Sequence, residues 1–135
     1  MQANPLRYRD PSGFDIYFNL GAGVIGWGYP GIGILETWPG VSGPHGNGPL
    51  PAGDYLGGSL REKPDLPKSP FCDPSGNCWF YPLNPTFPTN RTALGIHPDG
   101  NVPGTAGCIG VKSRNTKNLH DILREQPGEP VHVWK

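Results

Sequence analysis

The sequence predicts a mostly β domain with one α-helix near its C-terminal end, and two observations support this fold class. Short apolar segments alternate with turns rich in the 21 glycines and 18 prolines of the chain, which is typical of short strands joined by turns. The 4 Trp, 5 Tyr and 5 Phe are spread between these turns. Such a distribution argues against the disorder that this glycine and proline content would otherwise indicate. At 135 residues the chain fits a single domain.

The strands are predicted in order from alternating apolar and small or polar residues. Residues 14–38 are expected to form two or three antiparallel strands, interrupted by glycine turns and bulges. A turn-rich connection leads to a strand around Asp54 to Ser59, and a polar, proline-rich loop is expected from Arg61 to Pro70. The segment WFYPLNP is predicted as a strand edge and Ala93 to His97 as a further strand.

One segment, residues 113–126, has helical periodicity. Three of its first residues are alternative caps, namely Ser113, Asn115 and Thr116. Pro127 and Gly128 are expected to stop the helix, and EPVHVW then closes the domain as a strand. The predicted domain therefore covers residues 14–135, and residues 1–13 form an N-terminal extension.

Charge and hydropathy exclude several classes of partner. The 11 Lys and Arg balance the 11 Asp and Glu, and no basic run is present, so neither nucleic acid nor an anionic membrane surface is expected to bind. No apolar stretch of about 18 residues exists, so membrane insertion is not expected. The segment MQANPLRYRDPSG lacks the apolar run of a secretory signal peptide. A neutral small molecule or a zwitterionic polymer is the expected type of partner.

The three cysteines divide into a close pair and a single residue. Between Cys72 and Cys78 lies the turn-forming segment DPSGN, which can bring the two sulfurs together. A local disulfide is predicted, worth on the order of 2 kcal/mol in the chain-entropy model, and two reduced structural thiols are the alternative. No second Cys or His pair lies nearby, so no metal site is predicted. Cys108 is left unpaired and needs a separate explanation.

His97 and Cys108 are a candidate catalytic pair. His97 is predicted to end a strand, and the Gly- and Pro-rich segment after it can fold back so that the cysteine faces the histidine. An imidazole within hydrogen-bond reach removes the thiol proton and creates a nucleophile. The backbone amides of Gly107 and Cys108 are candidate oxyanion donors. On these residues alone, a loop without catalytic function is an equally good interpretation.

Several neighbouring residues are candidates for supporting roles. The imidazole needs an orienting partner, and the Pro98 carbonyl, the Gly100 carbonyl and the Asp99 carboxylate all remain open. The candidate substrate-binding residues are Arg91, Asp99 and Thr105. The other histidines and the tryptophans are given structural interpretations: a turn for His45, surface positions for His120 and His132, and core or lid packing for Trp27, Trp38, Trp79 and Trp134.

Two segments resemble a known family. IHPDGNVPGTAGCIGV is similar to the active-site segment of the L,D-transpeptidase catalytic domain superfamily (YkuD-like), in which a strand-ending His precedes a loop and then Ser or Thr, His, Gly, Cys and an aliphatic residue. The matching residues are His97, Thr105, Gly107, Cys108 and Ile109. Upstream, VSGPHGNGPLPAGDYLGG resembles a segment of the shorter branch that includes the type VI secretion L,D-transpeptidase effectors. The similarity extends from about Phe14 to Val133.

The resemblance implies an L,D-transpeptidase-like β-sandwich or barrel with one C-terminal α-helix, and acyl transfer on peptidoglycan stem peptides without a metal or organic cofactor. Cys108 would attack the carbonyl of the third stem residue, usually meso-diaminopimelate. The terminal D-alanine would leave, and His97 would shuttle the proton. The resulting thioester would pass to water, to a free D-amino acid or to a second stem, which gives L,D-carboxypeptidase, exchange or cross-linking activity.

Two departures from the family pattern favour cleavage or exchange over cross-linking. Ala106 stands where the usual second histidine lies, and Gly110 where many of these enzymes have an arginine. The resemblance further implies a secreted antibacterial effector, made in the cytoplasm, acting in the periplasm of a target bacterium and neutralised at home by a cognate immunity protein. A phage-encoded lysis enzyme and a non-catalytic wall-binding module are the alternatives. A papain-like peptidase is less expected, because its cysteine precedes its histidine in the chain.

Overall fold

The computed structural model describes residues 14–29, 31–62, 70–100 and 103–135. The elements in these residues are β1 (Asp15–Asn19), β2 (Val24–Tyr29), β3 (Gly33–Ser42), β4 (Gly53–Gly57), β5 (Arg61–Glu62), β6 (Trp79–Pro85), β7 (Gly95–Pro98), β8 (Ile109–Val111), α1 (Lys117–Arg124) and β9 (Pro130–Trp134). The predicted N-terminal extension, residues 1–13, lies outside the described residues.

The strands form one sheet that closes on itself. Their order is β4-β9-β1-β2-β3-β8-β7-β6-β5, and β4 also pairs with β6. Two of the pairs are parallel, β1 with β9 and β7 with β8, and the others are antiparallel. Because β4 pairs with β9 on one side and with β6 on the other, the sheet closes into a barrel. The predicted class, mostly β with one C-terminal helix, is confirmed.

Side chains along each strand point alternately into the barrel and away from it. The inward side chains fill the barrel interior, and the others form an outer face. In β6, Trp79, Tyr81 and Leu83 are buried in the core, and Phe80 between them points to the opposite face. Ile96 of β7 and residues of β8 continue the same apolar layer. The interpretation of the tryptophans as packing residues fits Trp38 and Trp79 but not Trp134, which is 44% exposed.

Three predicted element boundaries are wrong, each for a local reason. Ala93 has a φ of 57°, a left-handed conformation that an extended strand cannot contain, so β7 begins only at Gly95. The loop expected from Arg61 to Pro70 begins instead with the short strand β5, whose charged residues suit an edge strand. Residues 63–69 of that loop lie outside the described residues. The strand expected around Asp54 to Ser59 ends at Gly57. The Gly58 N–H still donates to the Pro82 carbonyl, but Pro82 has no N–H to donate in return, so the ladder stops.

The helix begins at Lys117, and its N-cap is Thr116, one of the three predicted caps. Asp73 holds Thr116 in place. The Asp73 carboxylate accepts hydrogen bonds from the Thr116 backbone N–H at 2.7 Å and from its hydroxyl at 2.9 Å. The same hydroxyl accepts one from Trp79 Nε1 at 2.8 Å. Asp73 itself lies in the turn between Cys72 and Cys78, which are joined by a disulfide. The disulfide hairpin, the core and the helix start are therefore one network.

The interpretation of His120 and His132 as surface residues holds only in part. Both are half-buried, with side chains 12% and 33% exposed. Each ring contacts two carboxylates: His120 those of Glu62 and Asp121, and His132 those of Asp15 and Asp54. Each histidine thus connects separate elements of the barrel. Among the described residues, no helix has the length and apolarity that crossing a membrane requires.

Candidate active site

A cavity of about 900 Å³ lies on the outer face of β6 and β7. Phe80 and His97 face it, and they alternate along their strands with the core residues Tyr81 and Ile96. Loops complete its walls and contribute, among others, His45, Phe71, Arg91 and Ala106. The site is therefore built on rigid strands, with loops arranged around them.

The fold brings His97 and Cys108 to the same face of neighbouring strands. In the parallel pair of β7 and β8, Ile96 is opposite Ile109 and His97 is opposite Gly110. Cys108 directly precedes β8, two positions before Gly110, so its side chain lies on the same face as that of His97. Such diagonal neighbours have backbones about 7–8 Å apart, and both residues line the cavity.

The buried ring of His97 is oriented for accepting a proton. Its Nδ1 lies 2.7 Å from the Pro98 carbonyl oxygen. A carbonyl only accepts, so Nδ1 carries the proton and Nε2 presents its lone pair. Burial lowers the pKa of His97, although the Pro98 carbonyl and the charge of Asp99 act in the opposite direction. Of the three orienting groups left open by the sequence, the one in contact is the Pro98 carbonyl.

Cys108 is a free, half-buried cysteine whose thiol is neutral at rest. Burial raises the pKa of the Cys108 thiol, and the backbone of Gly95 and the charge of Arg91 offset only part of this effect. The thiol donates to the Ala93 carbonyl oxygen at 3.5 Å. That carbonyl belongs to the left-handed residue that ends the preceding loop. The thiol therefore has to turn from Ala93 toward His97 before its proton can be removed.

Thr105 holds the loop that carries the nucleophile. Its hydroxyl donates to the Cys108 carbonyl at 2.6 Å and accepts from the Gly43 N–H at 3.0 Å and the Gly107 N–H at 3.3 Å. These bonds use the donor and both acceptor positions of a hydroxyl. Thr105 thus has a positioning role, and the substrate contact predicted for it stays a prediction. Because the Gly107 amide points to Thr105, an oxyanion contact from this amide requires that long bond to open or be shared.

Arg91 packs directly on the glycine before the nucleophile. Gly107 has a φ of 142°, and a Cβ placed on it would lie 2.5 Å from Arg91 Nη2, so only glycine fits. The guanidinium also donates to the carbonyls of Gly48 and Pro49, at 3.2 Å each. Arg91 therefore ties the nucleophile loop to the opposite wall of the cavity. Arg91, a candidate substrate-binding residue from the sequence, therefore lines the cavity.

Asp99 anchors the loop between β7 and the nucleophile. Its carboxylate accepts the Gly104 N–H at 3.2 Å, and burial raises the pKa of this carboxyl. A Cβ at Gly110 would lie 3.0 Å from Thr105 Cγ2 and 3.1 Å from Asp99 Cβ. Glycine at position 110 therefore lets Asp99 and Thr105 lie close against β8. The substrate contact predicted for Asp99 stays a prediction.

Solved structures with the same arrangement of strands match this chain at low sequence identity. A protein of Bdellovibrio bacteriovorus, Bd1075, has a TM-score of 0.70 and 18% identity, over 90% of this chain and 48% of that one. L,D-transpeptidase 1 of Mycobacterium tuberculosis has a TM-score of 0.54 and 16% identity, over 91% and 62%. An L,D-transpeptidase of Xylanimonas cellulosilytica has a TM-score of 0.58 and 17% identity, over 99% and 65%.

The chain has the L,D-transpeptidase fold. It spans about half to two thirds of the length of the chains that it matches. No protein-family model matches the sequence, and a search of curated proteins gives no match either. Within the described residues, no group of three or more His, Cys, Asp or Glu is arranged to hold a metal ion.

In this L,D-transpeptidase fold the upstream SGPHG segment forms a wall of the cavity. The His45 N–H donates to the Thr105 carbonyl at 3.0 Å, and the Thr105 N–H donates to the Gly43 carbonyl at 2.9 Å. His45 Nε2 donates to the Pro103 carbonyl at 2.9 Å. The His45 carbonyl accepts the Gly48 N–H in a turn, as the sequence predicts. His45 also lines the cavity, as its place between the two upstream motifs indicates.

Arg91 is expected to lower the pKa of the nucleophile, and alkylation tests this without a substrate. Because the guanidinium charge stabilises the thiolate, R91A should move the midpoint of the pH dependence of iodoacetamide alkylation upward, and R91K should move it less. Cys72 and Cys78 are disulfide-bonded, so the reacting thiol is Cys108. R124A, on the exposed side of α1, is the matched control. An unchanged midpoint in R91A would contradict the electrostatic role.

Proposed function

We propose that this protein is a cysteine-dependent enzyme of peptidoglycan stem peptides, acting by acyl transfer through Cys108 and His97. One observation carries the proposal: a free cysteine and a buried histidine with an available Nε2 lie on one face of a cavity in an L,D-transpeptidase fold. The names of two of the similar structures, both L,D-transpeptidases, support stem peptides as the substrate class.

The proposed reaction proceeds in two steps. His97 Nε2 takes the thiol proton as Cys108 Sγ attacks the carbonyl of the third stem residue, and the bond to the terminal D-alanine breaks. His97 then gives the proton to the departing amine, which leaves a thioester on Cys108. Water attacks the thioester carbonyl and His97 takes the proton from water. The C–S bond then breaks, and His97 gives that proton to Cys108 Sγ, which restores the thiol and the neutral imidazole. A free D-amino acid in place of water gives exchange.

Cleavage or exchange is proposed as the main outcome, in preference to cross-linking. At positions 106 and 110 this chain has Ala and Gly, where many members of the L,D-transpeptidase family that it resembles have a histidine and an arginine. The crowding at Gly110 by Thr105 and Asp99 supports this, because a larger side chain there would have to push these neighbours aside. A small acceptor such as water has less need of these contacts than a second stem peptide has.

The biological setting proposed is that of a secreted antibacterial effector. The protein would be made in the cytoplasm, act on the cell wall in the periplasm of a target bacterium, and be neutralised in the producing cell by an immunity protein. The similarity of VSGPHGNGPLPAGDYLGG to the effector branch supports this setting. A phage lysis enzyme with the same chemistry is the alternative.

A non-catalytic wall-binding module is a second candidate, and one specific observation favours it. Burial raises the pKa of Cys108, and the thiol donates to Ala93 instead of His97. Such a thiol would be inert if it never turned toward the imidazole. The candidate is ranked second because catalytic hydrogen bonds in free enzymes are often formed only when substrate is bound.

Purified muropeptides test the proposed function. The protein and its C108A form are incubated with tetrapeptide stems, and the products are weighed by mass spectrometry. Loss of one D-alanine by the unaltered protein, with no loss by C108A, is the expected result. Products that are the same with both proteins would rule out the thioester mechanism. A cut between sugar and peptide would rule out the substrate bond proposed here, and binding without any product would favour the wall-binding module.

A further inference from the structure

The register of the sheet places Arg61 in line with the candidate catalytic histidine. Arg61 is opposite Phe80 in the pairing of β5 with β6. The pairing of β6 with β7 joins Tyr81 to Ile96, which places Phe80 opposite His97 one step further along. Neighbouring strands are about 4.8 Å apart, so the backbones of Arg61 and His97 are separated by about 10 Å. Their side chains lie on one face, and both line the cavity.

The surface between Arg61 and His97 is apolar, and the rings of Phe80 and Phe71 form it. The Phe80 ring stacks on the His97 ring with centroids 6.0 Å apart and an interplanar angle of 19°. A Cβ on Gly95 would lie 2.4 Å from Phe80 Cζ, so the ring lies over the glycine backbone. Phe71 stands edge-on to both rings, with its centroid 5.6 Å from that of Phe80 and 4.8 Å from that of His97. A ligand chain from Cys108 to Arg61 would pass along Phe80 beside Phe71.

The charges around the cavity favour an anionic ligand. Among the described residues that line it, the fully charged ones are Arg61 and Arg91, and none is Asp or Glu. Glu62, next to Arg61, lies on the opposite face and contacts His120 Nε2 at 2.9 Å. Arg91 already donates to two backbone carbonyls, whereas Arg61 has no hydrogen bond or ion pair to another described residue. The guanidinium of Arg61 is available to a ligand.

We propose that Arg61 binds a free carboxylate of the donor peptide, upstream of the bond that Cys108 attacks. This inference rests on the proposed function and adds a specificity determinant to it. Three strand spacings, about 14 Å, separate Arg61 from the strand of Cys108. The arginine side chain itself covers part of this distance. The remainder corresponds to roughly two to three extended residues of the bound peptide. The site thus selects stems with an acidic residue at that distance over stems in which the acid is an amide.

Binding to the inactive C108A protein tests this without catalysis. Tetrapeptide stems whose second residue carries either a free carboxylate or the corresponding amide are titrated by calorimetry. The free acid is expected to bind about tenfold more tightly, the lower end for a charge-assisted hydrogen bond at an exposed site. R61Q in the same background should abolish this preference, and R61K should retain part of it. R124Q, on α1, is the matched control and should leave the preference unchanged.

The outcomes separate this inference from the proposed function. An unchanged preference in R61Q, in a protein that still releases D-alanine when Cys108 is present, would overturn the role of Arg61 alone. Absence of both binding and D-alanine release would overturn the proposed function together with it. In the active protein, the R61Q effect should fall on KM for acidic stems and leave kcat nearly unchanged, because Arg61 does not reach the reacting atoms. An effect on kcat alone would also contradict a binding role.

Discussion

Replacing His97 with glutamine is expected to lower Cys108-dependent release of D-alanine by roughly 10²–10⁴-fold, the usual contribution of general acid–base catalysis. Glutamine keeps a polar side chain of similar size but cannot take up the thiol proton. Because the resting thiol of Cys108 is neutral, it depends on this base to become a nucleophile. The measurement is kcat/KM on tetrapeptide stems, with melting temperatures to show that H97Q is folded.

The pH profile gives this prediction a second readout. His97 acts as a base only when neutral, and burial lowers its pKa below the ordinary value of about 6.5. Activity of the unaltered protein should therefore persist as the pH falls through about 6.5 and decline only below it, and H97Q should lose this limb. H120Q changes a histidine on α1 that contacts Glu62 and Asp121, and should retain activity. An H97Q protein with nearly full activity would refute the role of His97.

The second large effect is expected on stability. D73A should lower the free energy of unfolding by about 2–4 kcal/mol, because it leaves several buried donors without an acceptor. Asp73 is 6% exposed and accepts hydrogen bonds from the backbone N–H groups of Ser75, Asn77 and Thr116 and from the Thr116 hydroxyl. Chemical denaturation measures the loss. D121A, which removes an exposed carboxylate that pairs with Lys117 and His120, should cost much less than D73A.

The contribution of Asp73 should disappear in acid. Burial alone would raise the pKa of this carboxyl, but the hydrogen bonds from Asn77 and Thr116 outweigh it and hold the pKa below its usual value. A carboxyl with a lowered folded-state pKa stabilises the protein above its unfolded-state pKa, near 3.9, and this stabilisation is lost as the pH falls through the folded-state value. The stability difference between the protein and D73A should thus be constant at neutral pH and narrow below about pH 4. A difference that stays constant in acid would contradict the ionised network.

The strands and the helix face could be predicted from alternation and periodicity, but the neighbours of each strand could not. A period of two residues gives the face on which a side chain lies, without the strand that pairs beside it. His132 shows the consequence, since its carboxylate partners Asp15 and Asp54 lie 117 and 78 positions away. The row from Arg61 through Phe80 to His97 depends on the pairing of β5 with β6 and of β6 with β7. The sequence does not predict these strand pairings either.

Within the site, the sequence predicts the residues that belong to a motif but not the hydrogen bonds that hold them in place. His97 and Cys108 stand out because few residue types carry this chemistry and their order matches a family. The sequence also indicates Thr105 as a site residue, but it does not predict the hydrogen bonds of its hydroxyl. A hydroxyl in a loop has many possible partners within reach. The left-handed conformation of Ala93 had no signal, since alanine is not a residue type that favours it.

The position of β9 has a consequence for when the protein can become active. This strand lies between β4 and β1 and pairs with both. Until residues 130–134 have been synthesised, β1 and β4 have no common neighbour, and the barrel stays open. Contacts between residues so distant in the chain also form late in folding. The strand that follows the nucleophile, β8, is synthesised before β9 and gains a closed barrel to support it only when β9 pairs, so activity is expected only from then on.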